Sequence, residues 1–251
     1  MKKMLVLGVT AFLLIALSSC QFNLFAAFDK IEIPNAAELL VKAQEDPADF
    51  VSDVQDYVDS DSITEDNADD IVAALEYVYT TQSGETGERA AVLAGEISID
   101  SDPDTKLVVN NIVSSVTEAM DSDDDPDPEV IISGIFPSDM TQAEFTEILA
   151  NLSSAAAAYE DFAASIDGVP ADGIANPGAA PWMSSAEAGD MVQYAVVAII
   201  ITDISSAVGS GVLYDSVING TDIPDGDYDD PFTDNNAMKA LLDFAGLDFG
   251  E

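Results

Sequence analysis

The side chains able to do chemistry in this sequence are carboxylates and almost nothing else. There are 33 Asp and 15 Glu against 7 Lys and Arg, with no His and one Cys among 251 residues, and the formal charge is −41. Carboxylate oxygens suit hard cations, calcium first. Three Asp-x-Asp-x-Asp runs offer such oxygens: Asp100/Asp102/Asp104, Asp121/Asp123/Asp125 and Asp225/Asp227/Asp229. An EF-hand loop also needs Gly at its sixth place and Glu at its twelfth. Counted from Asp225 those places hold Asp230 and Asn236; from Asp121, Pro126 and Ile132; from Asp100, Thr105 and Asn111. None of the runs is an EF-hand. The segment 222–234 (DIPDGDYDDPFTD) is left as a calcium candidate of another kind, through Asp222, Asp225, Asp227, Asp229, Asp230 and Asp234. Carboxylate pairs for acid–base hydrolysis exist almost anywhere in such a chain, so spacing singles out none of them.

The same composition excludes other chemistry. Nucleic-acid binding needs cations on phosphates, and few are present. Without His there is no His-based triad, imidazole proton shuttle or His metal site. One Cys allows no internal disulfide, no Cys zinc site and no CxxC pair. Gly209-Ser210-Gly211 is neither a GxSxG nor a GxGxxG motif, and no Walker loop occurs. The acidity itself has two readings. It is either adaptation to a saline medium, where salt screens carboxylate repulsion, or a surface that attracts cations or a basic partner. Disorder is disfavoured, because 48% of the residues are hydrophobic.

The elements that must position these groups read as helices. Asn35 or Pro34 opens a segment with Leu39, Leu40 and Ala43; Asp46-Pro47 opens the next, with Phe50, Val54, Tyr57 and Val58. Thr64 caps a third, carrying Ala68, Ile71, Leu75 and Val78, which Ser83-Gly84 breaks. A fourth holds Ala90, Leu93, Ala94 and Ile97; Asp102-Pro103 opens a fifth with Leu107, Ile112, Val116 and Met120. The acidic, Pro-bearing connectors 100–104 and 121–128 are good N-caps, which gives them a structural task without any ligand.

The clearest periodicity is Phe145, Ile148, Leu152, Ala155, Tyr159, Phe162 and Ile166, alternating steps of three and four. Thr141 or Ser138 can cap it and Gly168 ends it. This predicts a long amphipathic helix, packed either within a bundle or as a dimeric coiled coil. Segment 168–181 is a Gly/Pro loop, either a boundary or a lid. Trp182, the only Trp, either plugs the edge of the core or lines a ligand cleft. Met191 to Ile201 is apolar on all faces and reads as the buried central helix, too short alone to span a bilayer. Asp203 interrupts its continuation and is the carboxylate expected to be part-buried, either at a solvated helix end or in a pocket. Segments 209–217 and 236–244 add short helices. No strand-like alternation and no strict repeat is present.

The N-terminus is of another kind. Met1-Lys2-Lys3 precedes the apolar run Met4–Leu17 and then Ser18-Ser19-Cys20. A basic head, a short apolar run and a small-residue site make a secretory signal peptide. Leu17-Ser18-Ser19-Cys20 resembles the lipobox of bacterial lipoproteins at all four positions. The resemblance implies cleavage before Cys20, acylation of Cys20 and membrane anchoring by its lipid. Among enterobacterial members an Asp after the Cys signals inner-membrane retention, so Gln21 points to the outer membrane. Phe22, Leu24, Phe25, Phe28, Ile31 and Ile33 follow, and either begin the folded body or lie in the lipid interface.

The expected organisation is a signal peptide (1–19), an anchor with an apolar segment (20–34), a helical region (35–167), the Gly/Pro loop (168–181) and a C-terminal helical region (182–251) packed with the first. The expected fold is all-α, an antiparallel multi-helix bundle or short helical array with acidic Pro-containing connectors. Its helix pairs are similar in outline to tetratricopeptide-like envelope lipoproteins, whose consensus is not met. The expected function is a lipid-anchored envelope lipoprotein with a non-catalytic binding or scaffold role, without a required cofactor and with another envelope protein as a possible partner. The alternatives are a calcium-binding surface protein, or a ligand-binding accessory of an envelope transport system with a cleft near Trp182, Tyr194 and Asp203. A carboxylate acid–base enzyme ranks behind them.

Overall fold

The computed structural model describes residues 31–121, 135–137, 139–166, 180–221 and 236–244. Among them are nine helices and no strand: α1 (Ala36–Glu45), α2 (Pro47–Asp59), α3 (Glu65–Thr81), α4 (Glu85–Asp100), α5 (Pro103–Asp121), α6 (Gln142–Ile166), α7 (Ser185–Val208), α8 (Ser210–Asn219) and α9 (Asn236–Phe244). The chain is all-α, with helix-on-helix packing.

Short polar residues start these helices because the first-turn N–H groups have no partner within the helix. Asn35 Oδ1 accepts from Ala37 N at 3.1 Å and Glu38 N at 3.3 Å, while Glu38 accepts from Asn35 N. Asp46 accepts from Asp49 N, with Pro47 at the first helical position. Asp102 accepts from the N–H groups of Asp104 and Thr105, each at 3.1 Å. Thr141 with Glu144, and Ser184 with Glu187, exchange reciprocal cap bonds. Those bonds hold the carboxyls of Glu144 and Glu187 below the usual range. A cap contributes about 1 kcal/mol. Several of the abundant carboxylates are therefore structural.

The helices close over two apolar clusters. The first joins α1, α2 and α3 to one face of α4, through Leu39, Phe50, Val54, Ile71, Leu75, Val78, Leu93 and Ile97. Ile33 packs against it, and the Ile31 amide donates to Ser62 Oγ. The second, larger cluster takes the opposite side of α4 (Ala91, Val92, Ile99) with Val108, Val109 and Ile112 of α5, the α6 stripe, α7, Leu213 of α8, and Met238, Leu241 and Phe244 of α9. Helix α4 belongs to both clusters, and it packs most extensively against α6. Gly95 permits this approach: a Cβ there would lie 2.5 Å from Tyr159 Cζ.

All seven stripe residues of α6, from Phe145 to Ile166, are buried within this one chain. Phe162 meets Phe244 edge-on at 5.5 Å, and Phe145 contacts both Phe136 and Tyr214. The stripe is an intramolecular seam.

Three expectations need correction. The buried central helix is α6. Helix α7 buries Ala188, Met191, Val192, Ala195, Val197, Ala198 and Ile199 but leaves Tyr194, Val196, Ile200, Ile201 and Ile204 partly exposed. It is also longer than the apolar run suggests: Glu187–Val208 is long and apolar enough to cross a membrane, and 33% of its most apolar window is buried. On α5, Ile112 faces the core as expected, but Leu107 is 46% exposed and Val108 and Val109 are buried in its place. The side chains of Val116 and Met120 lie outside the described residues. Asp203 is exposed, because α7 turns it away from the seam.

Candidate functional site

Helix α4 gathers the charged groups that do more than cap. It begins after Gly84, whose φ of +72° suits a residue without a Cβ. One turn in, Arg89 Nε lies 2.9 Å from Glu85 Oε1. Its guanidinium carbon stands 4.9 Å from the centre of the Trp182 ring. Trp182 Nε1 in turn donates to Glu88 Oε2 at 3.0 Å. The single Arg and the single Trp of the chain therefore meet across the 180–184 turn. A guanidinium over an indole face is favourable by about 0.5–2 kcal/mol.

Arg89 also lines a groove of about 400 Å³ between α2 and α4. The α2 wall presents Ser52, Gln55 and Asp56, at the spacing of one helical face; the α4 wall presents Glu85, Thr86 and Arg89. Val51 and Leu93 supply buried apolar surface.

Two turns further along α4 a second, smaller cavity of about 150 Å³ opens beside Glu96. Asp61, Asp100 and Lys106 line it with Glu96; Val58, Ile63 and Ile97 form its apolar part. Lys106 Nζ is 3.2 Å from Asp100 Oδ1. Burial pushes the Glu96 carboxyl up to about 7, reinforced by the charges of Asp100 and Glu187. A carboxyl poised there exchanges protons at neutral pH, the property of a general acid or base. Burial likewise raises the Tyr194 phenol, which feels Asp100, Lys106, Asp190 and Glu96. Tyr159 is fully buried, its phenol pushed far up by burial and then by Glu96. Its hydroxyl has no hydrogen-bond partner among the described residues. Asp61 takes φ +52°, a left-handed conformation that Asp tolerates better than most residues.

The residues expected to line one cleft line neither of these two cavities. Trp182 sits against Arg89, Tyr194 near Asp100 and Lys106, and Asp203 on the outside of α7. From Tyr194 to Asp203 the helix rises roughly 13 Å. Cys20 and the calcium candidates Asp222, Asp225, Asp227, Asp229, Asp230 and Asp234 lie outside the described residues, as do Asp123 and Asp125. In the first Asp run, Asp100 pairs with Lys106 and Asp102 caps α5 while accepting from Asn151. Among the described residues no three Asp or Glu side chains are grouped to hold a metal ion.

Sequence reasoning missed Arg89, Glu88, Glu96 and Lys106. Two signals were legible. Arg89 is the only Arg, and Glu96 is the one charge within the run Ala90–Ile99. No family model, curated protein or solved structure matches the chain.

Proposed function

We propose that this chain is a bacterial lipoprotein, anchored by acyl chains on Cys20, whose helical body serves a non-catalytic binding or scaffold role in the cell envelope. The observation that carries the reading is Leu17-Ser18-Ser19-Cys20 at the end of a short apolar run with a dilysine head, using the only Cys of the chain. Two or more acyl chains make anchoring stable, since each buried CH₂ contributes about 0.8 kcal/mol. Cleavage there removes two of the chain's seven cations and none of its carboxylates, leaving a still more acidic mature protein. Such a body is repelled by anionic lipid, which supports a lipid-held domain that stands off the membrane surface.

A binding role is favoured over a passive one by the groove between α2 and α4, where the only guanidinium of the protein is held in place. Metabolic labelling with an alkyne fatty acid in a bacterial host tests the anchor. The wild-type chain is expected to take label and to partition with membranes. Cys20→Ala is expected to lose the label and the partitioning. An unlabelled wild-type chain would overturn the reading.

A further inference from the structure

We infer that the groove between α2 and α4 binds a small zwitterion of the amino-acid type, its carboxylate on Arg89 and its ammonium between Asp56 and Glu85. This deepens the binding role proposed above and rests on it.

The chain has one Arg against a formal charge of −41, and Arg89 is held from two sides. Glu85 Oε1 lies 2.9 Å from its Nε, an ion pair without hydrogen-bond geometry, and the Trp182 ring covers its face. Trp182 is fixed in turn by Glu88. The terminal amino groups of Arg89 donate to no described residue. Among the described residues nothing occupies the forked end, the part that matches a carboxylate with two parallel hydrogen bonds.

Asp56 stands on the facing wall, on α2, and Glu85 on the same wall as Arg89. Ser52, Gln55 and Thr86 add neutral donors and acceptors, and Val51 and Leu93 an apolar surface. Six of the nine lining residues are polar or charged, and Val51 and Leu93 are almost fully buried, so recognition here rests on paired polar contacts rather than on apolar burial. The volume of about 400 Å³ admits a free amino acid together with water.

The surrounding charges decide the charge of the ligand. A free anion would meet Arg89 but also two carboxylates and the repulsive field of the whole protein. A plain cation would meet the carboxylates but leave the guanidinium fork empty. A zwitterion carries no net charge through that field and satisfies both signs inside the groove.

The test is isothermal titration calorimetry on the acylated mature chain in detergent, at constant ionic strength. The titrants are glycine, L-serine and L-leucine, with sodium acetate and ethylammonium chloride as the two single-charge halves. Saturable binding of at least one amino acid is expected, with neither half reproducing it. Arg89→Lys keeps the charge but loses the planar fork, and is expected to weaken binding by about tenfold or more. Asp56→Asn, on the exposed wall, is expected to weaken binding of the zwitterion without altering helicity by circular dichroism. Should Arg89→Lys fail to fold, Asp56→Asn decides. Absence of saturable heat with all three amino acids overturns the inference, as does acetate binding equally well or binding indifferent to Asp56→Asn. Acylation of Cys20 is read separately: a labelled protein that binds no zwitterion removes this ligand class and keeps the anchor, and an unlabelled one that binds does the reverse.

Discussion

Helices α6 and α7 are nearly equal in length, 25 and 24 residues, and their burial runs opposite to their composition. Helix α7 is the more apolar, yet its outer side is only partly covered. Helix α6 carries polar residues throughout, and its stripe from Phe145 to Ile166 is the centre of the fold. The difference shows that coverage by neighbours, rather than total hydrophobicity, decides which helix is central. Helix α6 is flanked by α4 on one side and by α7 and α9 on others. A helix apolar all round gives no indication of which side will be covered. A helix with one narrow stripe has only one side to cover.

The largest test of this contrast is truncation in the α6 seam. Phe162→Ala removes a ring with no exposure that packs on Phe244, and should destabilise by about 3–5 kcal/mol in urea denaturation. A loss as small as that of a surface substitution would mean α6 is not the hub.

Next in size is Glu96→Gln on α4, the helix that joins both clusters. The folded carboxyl titrates near 7 and an unfolded one near 4.5. Between those values the folded state holds the extra proton, so stability is greatest below pH 4.5 and falls as pH rises to about 7. Above that it levels off, after a loss on the order of 2–3 kcal/mol. Glu96→Gln has no such proton to lose. Its melting midpoint should match the wild type in acid, rise above it through this window and stay several degrees higher at pH 8. A constant gap at all pH values would contradict the burial of Glu96.

Gly95→Ala comes third. The new methyl would meet the buried Tyr159 ring at 2.5–2.8 Å, and a fully enclosed ring has nowhere to move. A net cost of about 1–3 kcal/mol is expected from thermal denaturation, despite Ala being the better helix former. Stabilisation by this substitution would show that α4 and α6 do not approach this closely at Gly95 and Tyr159.

The smallest effect is expected on the uncovered side of α7. Ile204→Ala removes a partly exposed side chain and should cost about 1 kcal/mol or less in the same urea assay. A cost equal to that of Phe162→Ala would erase the distinction between the two helices.

Much of this architecture was legible before folding. Caps at Asn35, Asp46 and Asp102 followed from short acceptors placed before helix-forming runs, and each makes the expected backbone bonds. The α6 stripe was legible because polar residues separate its apolar positions. Helix α5 was misread where Leu107, Val108 and Val109 stand side by side; three consecutive apolar residues do not fix a face, and packing against α4, α6 and α7 did. Asp203 was misread for a related reason. An apolar run around a carboxylate suggests burial only if every side of the helix is covered, and that side of α7 is not. The site was the least legible part. Trp182 and Glu88 are 94 residues apart, and nothing local in either segment announces the other. Glu96 could have been singled out as the lone charge between buried neighbours on both sides.

Hydrogen exchange with mass spectrometry on the chain produced from residue 21 onward, in detergent-free solution and with liposomes added, tests the claim most directly. Peptides from 142–166 should exchange slowest, near the rate set by global unfolding. Peptides from 196–208 should exchange sooner, at the same rate with and without a bilayer. If 196–208 were the slower region, or became protected only on liposomes, α7 would be the hub or a membrane-seeking helix and the account of α6 as the centre of the fold would be wrong.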